Sequence, residues 1–203
     1  TGSEDFVKDA ITWVRQLELT YTSSENDAYS LSRISKFKPQ LNYTTARETA
    51  TPSGNGTMVG VLSRLHSLVE HDIYYIRAKK IINSFSDEIP GHYLVMPTLI
   101  NNSVLLDDLL HVCVIGPEES KERSDLVTAA HEASPPNLMV IPSTLRKASL
   151  AASSHPASGK TMLNGRATAY VCVGNTCFPP IVEAEKLRAR INELLGLKLF
   201  HPE

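Results

Sequence analysis

The chain has 203 residues, 42% of them hydrophobic and 21% charged, with a formal net charge of -2. Length and composition fit an ordinary globular protein of one large or two small domains. The slight acidic excess argues against nucleic acid as the main partner, because phosphate binding needs Lys and Arg gathered on one face. No apolar run reaches the roughly 18 residues of a membrane span.

From Asp5 to Leu19, the spacing of Phe6, Val7, Ala10, Ile11, Val14 and Leu17 predicts a helix with one apolar stripe. The polar stretch from Thr20 to Asp27 and the mixed region to Thr51, with Pro39 inside it, carry no helical period and read as extended and loop-like. Turn residues gather at Thr51-Pro52-Ser53-Gly54-Asn55-Gly56, and Met58, Val59, Val61, Leu62, Leu65, Leu68 and Val69 then mark a second helix. Ser53 or Asn55 can cap it by accepting from the free N–H groups of its first turn. Asp72 is the expected cap of a third helix running to about Phe85, and Pro90-Gly91 punctuates before a mostly buried helical stretch, His92 to Leu106, interrupted near Pro97. Helix pairs joined by short turns are the unit of bundles and toroids.

After Asp107 the texture changes. Leu109 to Ile115 is a β-branched run ending at Gly116-Pro117, Glu118 to Glu132 suits a helix, and Leu138 to Ile141 is a second short strand. Strand, helix, strand in that space predicts two neighbouring parallel strands. The region from Ser143 to Gly165, rich in Ser, Ala, Gly and Pro, reads as a surface loop. Ala167 to Val173 is a third strand, and Glu183 to Leu195 a closing helix with Gly196 as its C-cap.

Two motifs stand out in order along the chain. Glu48-Thr49-Ala50-Thr51-Pro52-Ser53-Gly54-Asn55 lies ahead of the second helix, and Ala169-Tyr170-Val171-Cys172 is followed by Cys177 and Pro179-Pro180. Together they resemble the C-terminal part of the spermatogenesis-associated protein 20 family, of thioredoxin-domain-containing proteins, over roughly residues 5 to 196. The resemblance implies a mainly α fold: over residues 1–108, helical hairpins of a partial α/α toroid of the six-hairpin glycosidase type, and over 109–203 a small βαβ-like subdomain with a closing helix. It further implies that the N-terminal thioredoxin-like and toroid regions of a longer protein are the partners of this piece, and that the piece self-associates where missing hairpins would pack. Upstream, Asp27-Ala28-Tyr29-Ser30 departs from the Gly-Gly-Tyr-Phe stretch of the family.

The family has no assigned reaction, so the residues must carry the functional reading. Glu48, Ser53 and Asn55 beside a helix N-terminus form a polar wall suited to a sugar-like or anionic ligand; capping the helix accounts for the same residues. Glycoside hydrolysis would need a second carboxyl, for which Asp107 and Asp108 are the candidates. The first reading is an accessory or ligand-binding module without chemistry of its own, and the alternative is a carbohydrate-active fragment.

Cys113, Cys172 and Cys177 are too few for a disulfide scaffold, so a reducing cytoplasm is the expected setting. Thr1 to Asp5 carries neither a basic start nor an apolar run, so no secretory signal is visible; the sequons at Asn42, Asn55 and Asn101 would matter only in a secreted protein. Cys172 and Cys177 flank a turn short enough to bring their sulfurs together. A redox pair, two reduced thiols at a strand end, and a metal site completed by His111 or Cys113 all fit that spacing. The histidines (His66, His71, His92, His111, His131, His155, His201) show no metal-binding spacing, and no cofactor motif is present. Ser158-Gly159-Lys160-Thr161 is similar to the tail of a phosphate loop but lacks its first glycine and a preceding strand.

Overall fold

The structure, a computed structural model, describes residues 2–23, 26–33, 43–69, 71–133, 135–151, 153, 155–174 and 176–200. Pro39, Asn42, Asn175 and His201 lie outside the described residues. The chain divides into two compact units, Ser3–Leu106 and Thr1–Gly2 with Asp107–Glu203.

The first unit opens with α1 (Glu4–Tyr21), capped by Ser3, whose hydroxyl accepts from Asp5 N at 3.3 Å. Strands β1 (Thr22–Ser23) and β2 (Asn26–Tyr29) then pair antiparallel, and Ser30 bridges to Thr44. The pair lies within the stretch read as extended and loop-like. Arg77 holds it in place: its Nε donates to Glu18 Oε1 at 2.7 Å, its Nη1 to the Asp27 carbonyl, and its plane stacks 4.6 Å from the Tyr29 ring centre.

Helices α2 (Gly54–Val69) and α3 (Asp72–Asn83) form an antiparallel pair, with α4 (Ile89–His92), a 3-10 turn (Tyr93–Val95), α5 (Pro97–Ser103) and α6 (Leu105–Asp108) following. The cap of α3 is His71, whose Nδ1 accepts from Ile73 N; Asp72, the expected cap, sits in the first turn. The expected buried helix over His92 to Leu106 is broken into short pieces, and Leu94 in it is 78% exposed. The core gathers Val14, Tyr29, Val59, Leu62, Leu65, Ala78, Ile81, Phe85, Met96 and Leu99. Two glycines on one face of α2 let α5 approach: a Cβ on Gly56 would lie 2.6 Å from Leu99 N, and one on Gly60 would lie 2.7 Å from the Asn102 amide carbon.

The second unit is a mixed four-stranded sheet, ordered β4-β3-β5-β6, with helices packed on it. β3 (Leu110–Ile115) lies beside β4 (Leu138–Ser143) in parallel, as the strand–helix–strand spacing predicts, with α7 (Lys121–Ala133) as the crossover. α8 (Leu145–Leu150) follows β4. β5 (Thr168–Val173) pairs antiparallel with β3 on its other side, and β6 (Thr176–Cys177) closes a hairpin on β5. α9 (Ala184–Phe200) runs on through Gly196, which is therefore no C-cap.

Alternation along each strand assigns the two sheet faces. Leu110, Val112, Val114, Ala169 and Val171 form a core with Leu126, Ala129 and Ala130 of α7 and Leu187 and Ile191 of α9. His111, Cys113 and Ile115, with Tyr170 and Cys172 opposite them, point to the other face; the three β3 residues and Cys172 are buried and Tyr170 is half-buried.

The expectation of a mainly α toroid fragment is overturned by this sheet. Of the described residues 54% are helical and 17% lie in strands, including a mixed four-stranded sheet, and the fold is α/β. The physical reason is that Leu110–Ile115, Leu138–Ser143 and Thr168–Val173 supply three pairing strands, and only a covered sheet satisfies both their backbones and their apolar side chains. Among the described residues, no helix is long and apolar enough to cross a membrane.

Candidate functional site

Around the start of α2 the structure places Glu48, Ser53 and Asn55 in one corner and gives each a backbone partner. Ser53 Oγ accepts from Gly56 N at 3.2 Å, the bond of an N-cap. Asn55, 3% exposed, accepts from Tyr29 N at 2.8 Å and donates from Nδ2 to the carbonyls of Tyr29 at 3.0 Å and Thr45 at 2.9 Å. Its amide thus ties the backbone at the end of β2 to the Thr45 carbonyl and to the start of α2. Glu48 Oε1 accepts from Thr98 N at 2.6 Å, in the first turn of α5. Asp107 and Asp108, the candidate partner carboxyls, belong to the other unit, in α6.

The chemistry-bearing residues of the second unit converge on the sheet face away from α7 and α9. Cys172 and Cys177 face each other across the β5–β6 hairpin and are joined as a disulfide, with their Cα atoms 4.0 Å apart. Why they meet follows from hairpin geometry. Two residues link the strands, and Gly174 at φ +52° takes the left-handed conformation that suits the hand of a tight hairpin loop. In such a loop the flanking pair, Val173 and Thr176, exchanges hydrogen bonds, and the next pair does not. Non-hydrogen-bonded partners are the closer kind in an antiparallel ladder. Beyond them the Phe178 N–H donates to the Val171 carbonyl at 2.8 Å.

The two sulfur-bearing residues differ in environment. Cys172 is 3% exposed, in register with His111 on β3, whereas Cys177 lies exposed on the outermost strand. Lys160 reaches this bond: its Nζ lies 3.7 Å from Cys177 Sγ and 5.5 Å from the centre of the Tyr170 ring. Its position is held on either side. Lys160 N donates to the Ala157 carbonyl at 3.2 Å, and Tyr170 donates its hydroxyl to the Thr161 carbonyl at 2.9 Å. Among the described residues, no carboxylate forms an ion pair with Lys160.

Burial, with Lys160 and His155 adding to it, pushes the His111 imidazole down to about 4, so it is neutral at pH 7. Cys113, two residues along β3 and buried, is a free thiol that burial pushes up to about 12, with Lys160 partly opposing the rise. A thiol held that high is inert at neutral pH. The arrangement therefore distinguishes one exposed sulfur beside an ammonium group, one buried sulfur bonded to it, and a third that takes no part.

By sequence pattern Lys160 falls in a surface loop, within a stretch that lacks the first glycine of a phosphate loop. That segment is not merely surface: it contains α8, and Ala148 and Ala157 within it are buried. The signal that could have found the cross-strand pair is Gly174-Asn175 between Val173 and Thr176, a two-residue hairpin link that sets Cys172 opposite Cys177. No comparable signal points to Lys160, whose place depends on the path of the covering segment.

No protein-family model matches the chain. It is 26% identical over 158 residues to human spermatogenesis-associated protein 20, covering 77% of this chain and 19% of the human protein. The mouse and rat proteins of the same name are each 23% identical over 149 residues, 72% of this chain and 19% of theirs. The chain thus spans less than a fifth of the length of these curated relatives. It is a distant homologue of spermatogenesis-associated protein 20.

Proposed function

We propose that this chain is the C-terminal accessory module of a larger protein of the spermatogenesis-associated protein 20 type, and that its reactive element is a disulfide exchanging with a partner dithiol. The observation that carries the proposal is the bond between buried Cys172 and exposed Cys177, with an ammonium group beside the exposed end. A structural staple needs neither the surface sulfur nor the lysine. A bond built for exchange needs an accessible sulfur and a stabilised thiolate. The thioredoxin-like region implied for the longer protein is a dithiol of the right class. A cytoplasmic setting fits the same reading, because there disulfides persist mainly as transient members of catalytic or sensing cycles.

A sugar cleft at the Glu48–Asn55 corner finds no support in the geometry. The side chains that would grip a hydroxylated ligand are engaged with Thr98, Gly56, Tyr29 and Thr45 of the protein itself.

The test is a thiol count under native conditions. Treatment of the folded chain with dithiothreitol, or with thioredoxin and its reductase, is expected to release both cysteines of the pair while Cys113 stays unreactive. A bond that resists both reagents until the chain is unfolded would make it a staple and end the exchange reading.

A further inference from the structure

We infer that Cys177 is the sulfur through which the pair exchanges and that Lys160 is the positioning residue that makes its thiolate a good leaving group and nucleophile. This deepens the exchange reading and rests on it.

Access decides the first half. Displacement at a disulfide requires the incoming thiolate to approach one sulfur from the side opposite the other. Cys172 lies at 3% exposure in a strand flanked on both sides, so only Cys177 on the outermost strand can be approached. A partner thiolate attacks Cys177 Sγ, a new S–S bond forms, and the Cys172–Cys177 bond breaks with its electron pair passing to Cys172 Sγ, which takes a proton from water. The partner's second thiol, having lost its proton to water, attacks its own sulfur in the mixed disulfide. Cys177 then departs as a thiolate. The module has gained two electrons and the partner dithiol has become a disulfide.

Electrostatics decides the second half. The step that frees Cys177, and any later attack by it in the reverse direction, depends on how well its negative charge is held. Among the described residues, the charged and titratable groups on this face include Lys160 and His155 from the covering segment, His111 and Cys113 from β3, and Tyr170 from β5. His111 is neutral at pH 7 and Cys113 keeps its proton, and it is Lys160 that brings a cationic group to the sulfur, its Nζ 3.7 Å from Cys177 Sγ. An ammonium at that distance favours thiolate over thiol.

The experiment uses the full chain carrying Cys172→Ser, which leaves Cys177 as a free thiol, alone and combined with Lys160→Met or Lys160→Arg. The rate of alkylation of Cys177 by iodoacetamide is followed against pH, with the site read by peptide mass. We expect the midpoint of the rate profile to rise by about one pH unit with Met and to return with Arg; identical midpoints in all three overturn the role of Lys160. Should Cys172→Ser fail to fold, the wild-type chain reduced with dithiothreitol and briefly alkylated answers the first half: Cys177 should be labelled several-fold ahead of Cys172, and equal labelling overturns the assignment. Resistance of the wild-type bond to dithiothreitol would instead count against exchange itself, while the Cys172→Ser profiles would still decide the effect of Lys160.

Discussion

Asn55 spends its amide on three backbone partners, two of them belonging to Tyr29 and one to Thr45. Removing that amide leaves buried donors and acceptors without partners, so Asn55→Ala is expected to cost about 2–3 kcal/mol in chemical denaturation. Ser53→Ala, which removes one capping bond, should cost about 1 kcal/mol. At His111 the expectation concerns pH. The imidazole is held down to about 4 in the folded protein, below its ordinary 6.5. The unfolded chain therefore binds a proton that the folded chain refuses, and stability falls as pH drops from about 6.5 to about 4, by up to roughly 3 kcal/mol. Denaturation midpoints measured across that window should flatten in His111→Phe; an unchanged pH slope would show that His111 is not the source. At this scale the sequence was only partly legible. Ser53 could be read as a cap from local order alone, but the partners of Asn55 lie well upstream, and no local pattern announces them.

Among the elements, the α2–α5 contact gives a sharp contrast between two glycines. Ala is the better helix former by about 1 kcal/mol, yet a Cβ on Gly56 would meet the backbone of Leu99, which cannot retreat without moving α5. Gly56→Ala is expected to destabilise by about 1–3 kcal/mol net of that gain. Gly60→Ala meets the side chain of Asn102, which can rotate, although rotation sacrifices its bond to the Gly56 carbonyl; its cost should be smaller. Thermal melts of the two variants check the order. In the β5–β6 hairpin, opening the disulfide frees a short loop, worth about 2 kcal/mol by chain entropy, so reduction should lower the melting temperature without abolishing the fold. The β3–α7–β4 unit was readable because its strands are β-branched runs with turn residues at their ends. The β1–β2 hairpin was not, since Asn26–Tyr29 lacks alternation and is held from outside by Arg77 and Asn55. Likewise α8 hides within a stretch whose Ser and Ala content resembles a loop, and the burial of Ala148 in it depends on tertiary packing that no local pattern announces.

At the scale of the molecule, composition and periodicity gave helices in the front half and strands behind, but the inferred toroid extended a helical pattern past what these residues form. The first unit also carries apolar surface: Phe6 and Trp13, seven residues apart on α1, are 64% and 69% exposed. Trp13 is the single tryptophan, so its fluorescence reports on this face alone. In a monomeric chain acrylamide should quench it almost as freely as it quenches indole in water; strong protection that grows with protein concentration would reveal self-association through α1. The second unit has a different property at its rims. Its two outer strands are spoiled for hydrogen bonding by residues without an N–H, Pro142 within β4 and the Pro179-Pro180 pair just past β6. These prolines shorten the run of N–H groups that either edge can offer to an extended foreign segment. Edges interrupted in this way also work against the sheet stacking into fibrils with its own copies.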